Sequence, residues 1–220
     1  MKIITVGKAV TASNDLDAAA LRSELKERGT LLINLMSSPG SGKTTLLSRL
    51  IRDMEDLRIA VMDADIASTV DADRIAALGA RAIQVHTDGM CHMDAGMTGE
   101  ALRAMGDGES DLIFLENVGN LICPAEYDTG AGLDLMILSV TEGDDKPLKY
   151  PLMFQRSHGL VISKTDALDY FDFDLEKCVS RVKALNPDIA VFPVSAKTGE
   201  GMEALESWLK SRLAGWRNNV

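Results

Sequence analysis

Leu31-Leu32-Ile33-Asn34-Leu35-Met36-Ser37-Ser38-Pro39-Gly40-Ser41-Gly42-Lys43-Thr44-Thr45-Leu46-Leu47-Ser48-Arg49-Leu50-Ile51 changes character twice. Residues 31–36 are an apolar run that reads as a buried strand, and residues 46–51 read as an amphipathic helix. The loop between them carries Gly40, Ser41, Gly42, Lys43, Thr44 and Thr45. Strand, glycine-rich loop and helix in that order make a cradle for an anion. The glycines let successive N–H groups converge, and the helix N-terminus adds partial positive charge. Lys43 is expected to stand exposed to β- and γ-phosphates, and Thr44 to offer its hydroxyl to Mg²⁺. The pattern G-x-x-x-x-G-K-[ST] is met except at its first position, where Ser37 replaces glycine. An ordinary Gly/Ser turn is the competing reading, and Gly-Lys-Thr-Thr at this junction speaks against it.

Outward from this loop, apolar strands alternate with helices. Strands are expected at 58–63, 81–85, 111–116, 133–140, 159–162 and 190–194. Helices are expected from Asn14, as N-cap, to Arg28, then to Met54, from Asp71 to Gly79, and over 97–105, 175–185 and 202–213. The alternation predicts an α/β fold of the P-loop NTPase type, a mostly parallel central sheet with helices on both faces. Ligands then belong at the carboxyl ends of the strands. The 220 residues fit one domain, with residues 1–13 as a short extension.

Composition narrows the partners. The net charge is −10, from 33 acidic and 23 basic residues, which disfavours nucleic acid and anionic membrane surfaces. The start lacks the apolar core of a signal peptide, and no stretch is long enough to span a bilayer. Three cysteines do not make a disulfide framework, so a cytoplasmic protein with reduced thiols is expected.

Four strand ends carry chemistry. The first is the phosphate loop. The second is Asp63-Ala64-Asp65, where Asp65 is a candidate for Mg²⁺ or for orienting water, with Asp71 as a helix cap. In the third, Glu116-Asn117-Val118-Gly119, Glu116 is an acid beyond an apolar strand and Gly119 a donor to a γ-phosphate. Thr44, Asp65 and Glu116 are thus candidate Mg²⁺ partners, directly or through water. The fourth is Ser163-Lys164-Thr165-Asp166, paired with Ser195-Ala196-Lys197. It resembles the guanine-reading N-K-x-D motif: Asp166 accepts from the ring N1–H and exocyclic amine, Lys164 covers the base, and the Ala196 N–H meets O6. Ser163 in place of asparagine leaves one supporting hydrogen bond in doubt.

Cys91-His92 and Cys123 lie in two further loops. Two thiolates and an imidazole suit Ni²⁺ or Zn²⁺, and three ligands leave a site open or completed by a second subunit. The same cysteines read equally well as small buried hydrophobes. Cys178, on the apolar face of the 175–185 helix, reads as core, and His86 and His158 as surface or satisfied polar groups.

The loop Ser37–Thr45, Gly89-Met90-Cys91-His92-Met93-Asp94-Ala95, Glu116 through Pro124, and Val140 through Pro151 together resemble the HypB family of hydrogenase nickel-incorporation GTPases. The likeness covers nearly the whole chain. It implies a GTPase domain that uses GTP/GDP and Mg²⁺, dimerises on GTP and helps deliver nickel to a hydrogenase. The implied metal site is at the subunit interface, built from Cys91, His92 and Cys123. Implied partners are a nickel-binding maturation accessory protein and the hydrogenase large-subunit precursor. The cysteine-rich and histidine-rich segments of some relatives do not occur in these residues, so no nickel store of that kind is expected. The urease-maturation GTPase and an ATP-using small-molecule kinase on the same fold are the alternatives.

Overall fold

The structure, a computed structural model, describes residues 7–64, 74–106 and 108–218. Strands β1 (Leu31–Ser37), β2 (Ile59–Asp63), β3 (Arg81–Gln84), β4 (Leu112–Glu116), β5 (Leu133–Ser139), β6 (Gly159–Ser163) and β7 (Ala190–Val194) form one sheet. Its order is β3-β2-β4-β1-β5-β6-β7, with every pairing parallel. The order reverses beside β1, so the crevice above β1 is where a ligand belongs.

Side chains of β1 alternate between the two faces. Leu31, Ile33 and Leu35 join one core cluster with Leu46, Leu47 and Leu50 of α2 (Lys43–Asp53) and Leu205, Leu209 and Leu213 of α8 (Met202–Asn218). On the other face Leu32 packs with Leu21 and Leu25 of α1 (Gly7–Glu27) and Leu102 of α3 (Ala95–Met105). Met36 packs there with Met153 and Phe154 of α6 (Pro151–Arg156) and Cys178 and Val182 of α7 (Leu175–Leu185). Asn34 lies on that second face, between two apolar clusters, and is 1% exposed. Both faces are covered, which is why the strands read as continuous apolar runs.

The structure differs from the sequence reading at three places. Asn14 is not an N-cap: α1 begins at Gly7, so residues 7–13 belong to it and Asn14 lies in its interior. Helix α3 starts two residues before Met97, because Asp94 caps it by accepting from Met97 N. Short helices α4 (Cys123–Glu126) and α5 (Lys146–Lys149), with α6, follow prolines in their first turns. They are too short to show a period. The Asp71 cap lies outside the described residues; residues 74–76 are helical. Cys178 is buried, and desolvation pushes its thiol up to about 12, as a core cysteine should behave.

Asp111, 7% exposed, ties the edge of the core to the last helix. Its carboxylate accepts from Arg58 N at 2.8 Å, from the Arg58 guanidinium at 3.1 Å, and from Arg217 Nη2 at 2.5 Å. The Arg58 hydrogen bond holds its carboxyl well below the usual carboxylate range. A depressed folded pKa contributes stability above the unfolded value near 4, lost as pH falls through the folded value. Asp111→Ala is expected to cost about 1.5–3 kcal/mol at pH 7. The deficit should shrink below about pH 4, which urea unfolding at pH 7 and pH 3 measures.

Candidate nucleotide and metal site

Gly42 has φ of +98°, a conformation that L side chains rarely adopt, and it starts α2 without a side-chain cap. The turn leaves the N-terminal N–H groups of α2 facing a cleft of about 450 Å³. Gly40, Gly42, Lys43, Thr44, Thr45, Glu116, Gly119 and Lys164 all line it. Ser41 is fully buried behind the loop. Lys43 departs from expectation. It is only 7% exposed, and its Nζ donates to Ser37 Oγ at 3.0 Å. The residue in the place of the motif's first glycine therefore holds the lysine.

Glu116 ends β4 opposite Asp63 of β2, and both carboxylates are buried. Thr44 and Glu116 line the same cleft and offer hard oxygen donors of the kind Mg²⁺ takes. Asp65 lies outside the described residues. Gly119 presses on the phosphate loop: a Cβ there would stand 3.0 Å from Pro39 Cγ and 3.1 Å from Pro39 N. Any side chain there would crowd Pro39.

The base-reading candidates hold one another and the phosphate loop. Ser163 Oγ donates to Ser41 O at 2.7 Å and Lys164 Nζ to Gly40 O at 2.8 Å. Serine thus makes a supporting bond where an asparagine was expected. Lys164 has φ of +62°, costing roughly 1–2 kcal/mol. Ser195 Oγ donates to Asp166 Oδ1 at 2.7 Å, and Lys197 Nζ lies 3.8 Å from Asp166 Oδ2. Ala196 follows Ser195 at the end of β7, half-buried against the core.

On the opposite side of the Glu116–Cys123 loop, Cys91 Sγ and Cys123 Sγ stand 2.7 Å apart, both as free thiols. His92 Nδ1 is 3.8 Å from Cys91 Sγ. The His92 ring stacks on Tyr127 at 3.7 Å, a partner the sequence did not suggest. Burial lowers its pKa, leaving a neutral imidazole able to ligate. The Cys91 sulfur, and then burial, push the Cys123 thiol upward. Just before α4, Asn120 Oδ1 accepts from Ile122 N at 2.7 Å and Cys123 N at 3.3 Å. Among the described residues no three His, Cys, Asp or Glu groups close around one point on this chain. The two soft sulfurs nonetheless fit nickel or zinc. Further buried amides, Asn34 and Asn117, join these loops. The sequence signal for Asn34 was a polar residue inside an apolar strand.

An all-parallel sheet with a glycine-rich loop and buried acid at adjacent strand ends defines a P-loop NTPase. Residues 31–193 match the family described as CobW/HypB/UreG, nucleotide-binding domain. Hydrogenase maturation factor HypB of Rhizobium leguminosarum bv. viciae is 45% identical over 214 residues, 97% of this chain and 72% of that protein. The crystal structure of HypB from Helicobacter pylori in complex with nickel superposes with a TM-score of 0.88 at 37% identity, covering 92% of this chain and 96% of that one. That of Archaeoglobus fulgidus HypB gives 0.86 at 35% identity, covering 92% and 99%. The chain belongs to the HypB family of hydrogenase maturation factors. Among the described residues no helix is long and apolar enough to cross a membrane.

Proposed function

We propose that this chain is a Mg²⁺-dependent GTPase that couples hydrolysis of GTP to delivery of nickel during [NiFe]-hydrogenase maturation in the cytoplasm. The observation that carries the reading is the continuity of one loop. At Gly119 it presses on Pro39 of the phosphate loop, and four residues on it places Cys123 against Cys91. A loop with two arrangements that moves its glycine moves its cysteine too.

In this reading Lys43 and the α2 N-terminus neutralise the β- and γ-phosphates, and Gly119 N–H donates to the γ-phosphate. Thr44 and Glu116, with Asp65, hold Mg²⁺, whose charge screens the phosphates. Asp166 and Ala196 read guanine, and Lys164 covers its ring. Nickel, or zinc in its place, is cargo held by Cys91, His92 and Cys123. One chain leaves that ligand set short, so a second copy completes it. Met90 and Ile122, beside the two cysteines, are 47% and 56% exposed, an apolar rim suited to a homodimer contact promoted by GTP. The expected recipients are a nickel-binding accessory protein and the hydrogenase large-subunit precursor. Family membership favours this over the urease-maturation GTPase and over an ATP-using kinase on the same fold.

Turnover of GTP and ATP, with and without Ni²⁺, tests the enzyme. A slow, GTP-preferring hydrolysis is expected, and equal turnover of the two overturns the reading. Nickel and zinc titrations of the GDP-bound and GTP-analogue-bound protein test the coupling. Cys123→Ala is expected to weaken nickel by at least roughly 10–100-fold, the loss typical of removing even an outer-shell partner. Unchanged affinity in Cys123→Ala removes that ligand from the assignment.

A further inference from the structure

Asn117 is the residue after Glu116 and is fully buried. Its own N–H donates to Leu35 O at 3.0 Å, extending the β4–β1 ladder by one step. Its side-chain oxygen accepts from two backbone N–H groups. One is Val118, at 2.9 Å, the neighbour of Gly119. The other is Met93, at 3.2 Å, the neighbour of His92. The amide nitrogen donates to Asn34 Oδ1 at 2.9 Å, and Asn34 Nδ2 donates in turn to Asp134 Oδ1 at 2.9 Å. A single oxygen atom therefore joins the loop against the phosphate site to the loop carrying Cys91 and His92, while the nitrogen pins it to the central strand.

The two N–H donors sit in dry surroundings: Met93 is fully buried and Val118 is 4% exposed. Water has no easy access to replace a lost partner, so a buried N–H that leaves Asn117 goes unpaired. Displacement of Val118-Gly119 must then be followed by Met93, or the bond breaks. Coupling needs such a discrete, contiguous contact between two sites.

We propose that Asn117 is the positioning residue that transmits nucleotide state to the nickel ligands Cys91 and His92. The inference rests on the reading above, in which nucleotide binds the phosphate loop and nickel the thiol pair. Asn14 supplies a contrast. Its Oδ1 accepts from Ala95 N and its Nδ2 donates to Asp128 O, both at 2.9 Å, so it braces the metal-side loops from α1. Those bonds do not involve residues 117–119.

The test is a nickel titration of full-length parent, Asn117→Ser and Asn14→Ala, each in GDP and in a non-hydrolysable GTP analogue with Mg²⁺. Serine keeps a hydroxyl near Val118 N–H but is too short to reach Met93. The parent affinities are expected to differ between states by about 5–150-fold, the usual span of such coupling. In Asn117→Ser the two affinities should converge, with analogue binding retained. In Asn14→Ala both should fall together with their ratio preserved. A parent-like ratio in Asn117→Ser overturns the proposal, and so does a ratio lost equally in Asn14→Ala. Should Asn117→Ser not fold, Asn34→Ala frees the same amide from its anchor. It is expected to shrink the ratio, and a preserved ratio there is equally fatal. No difference between states in the parent sinks the coupled-GTPase reading itself, a separate result.

Discussion

Lys43→Ala is expected to cut turnover of nucleoside triphosphate by about 10²–10³-fold, the usual cost of removing one group that stabilises transition-state charge. The fold should survive. Lys43 is 7% exposed and, among the described residues, its Nζ donates to a neutral hydroxyl, Ser37 Oγ. A buried charge with so little compensation is costly to the folded state, so its removal should leave thermal stability unchanged or raised. Phosphate release at saturating substrate, set beside the melting temperature, separates the two effects. Parent-like turnover in a folded variant would take Lys43 out of the site. A melting temperature far below the parent's would mean that the lysine holds the loop as well as the phosphates.

Asp166→Asn is expected to shift the preference between guanosine and xanthosine triphosphates by about 10²–10⁴-fold, because two charge-assisted hydrogen bonds at about 1.5–3 kcal/mol each are exchanged. The carboxylate only accepts, and guanine presents two N–H groups to it. An asparagine presents one donor, which suits a carbonyl at the same edge of xanthine. The bond from Ser195 Oγ to Oδ1 survives the change, so the loop should keep its shape. Competition of the two nucleotides for one fluorescent analogue reads the shift directly. Undiminished GTP preference would place the base elsewhere.

Much of the architecture was legible because a parallel sheet buries its strands on both faces. Runs such as Leu112 to Leu115 need no alternation to be recognised. The phosphate loop was legible for a different reason, since glycine, lysine and threonine at a strand–helix junction have one common physical use. What stayed hidden was set by distant contacts. Asn14 has the side chain of a good cap, yet its amide bridges Ala95 N and Asp128 O across more than eighty residues of chain. Lys43 was expected in the open, and Ser37 draws it inward. The meeting of Cys91 with Cys123 depends on where the loops beyond β3 and β4 are packed, which spacing along the chain does not encode. The short helices α4 to α6 fall below the length at which periodicity is visible.

The strand order has a consequence for how the protein is made. Strand β1 is translated early, yet its neighbours are β4 and β5, which ends at Ser139. At roughly 5–20 residues per second, on the order of 5–20 s separate the emergence of β1 from that of its second neighbour. Until β4 is made Leu31 to Met36 is an apolar strand with both edges open, and one edge stays open until β5 follows. Arg217, near the end of the described chain, clasps Asp111 and Gly29 O. The last helix thus fastens both to the loop before β1 and to the loop before β4, so the contacts that close this edge form only when the end of the chain has been made.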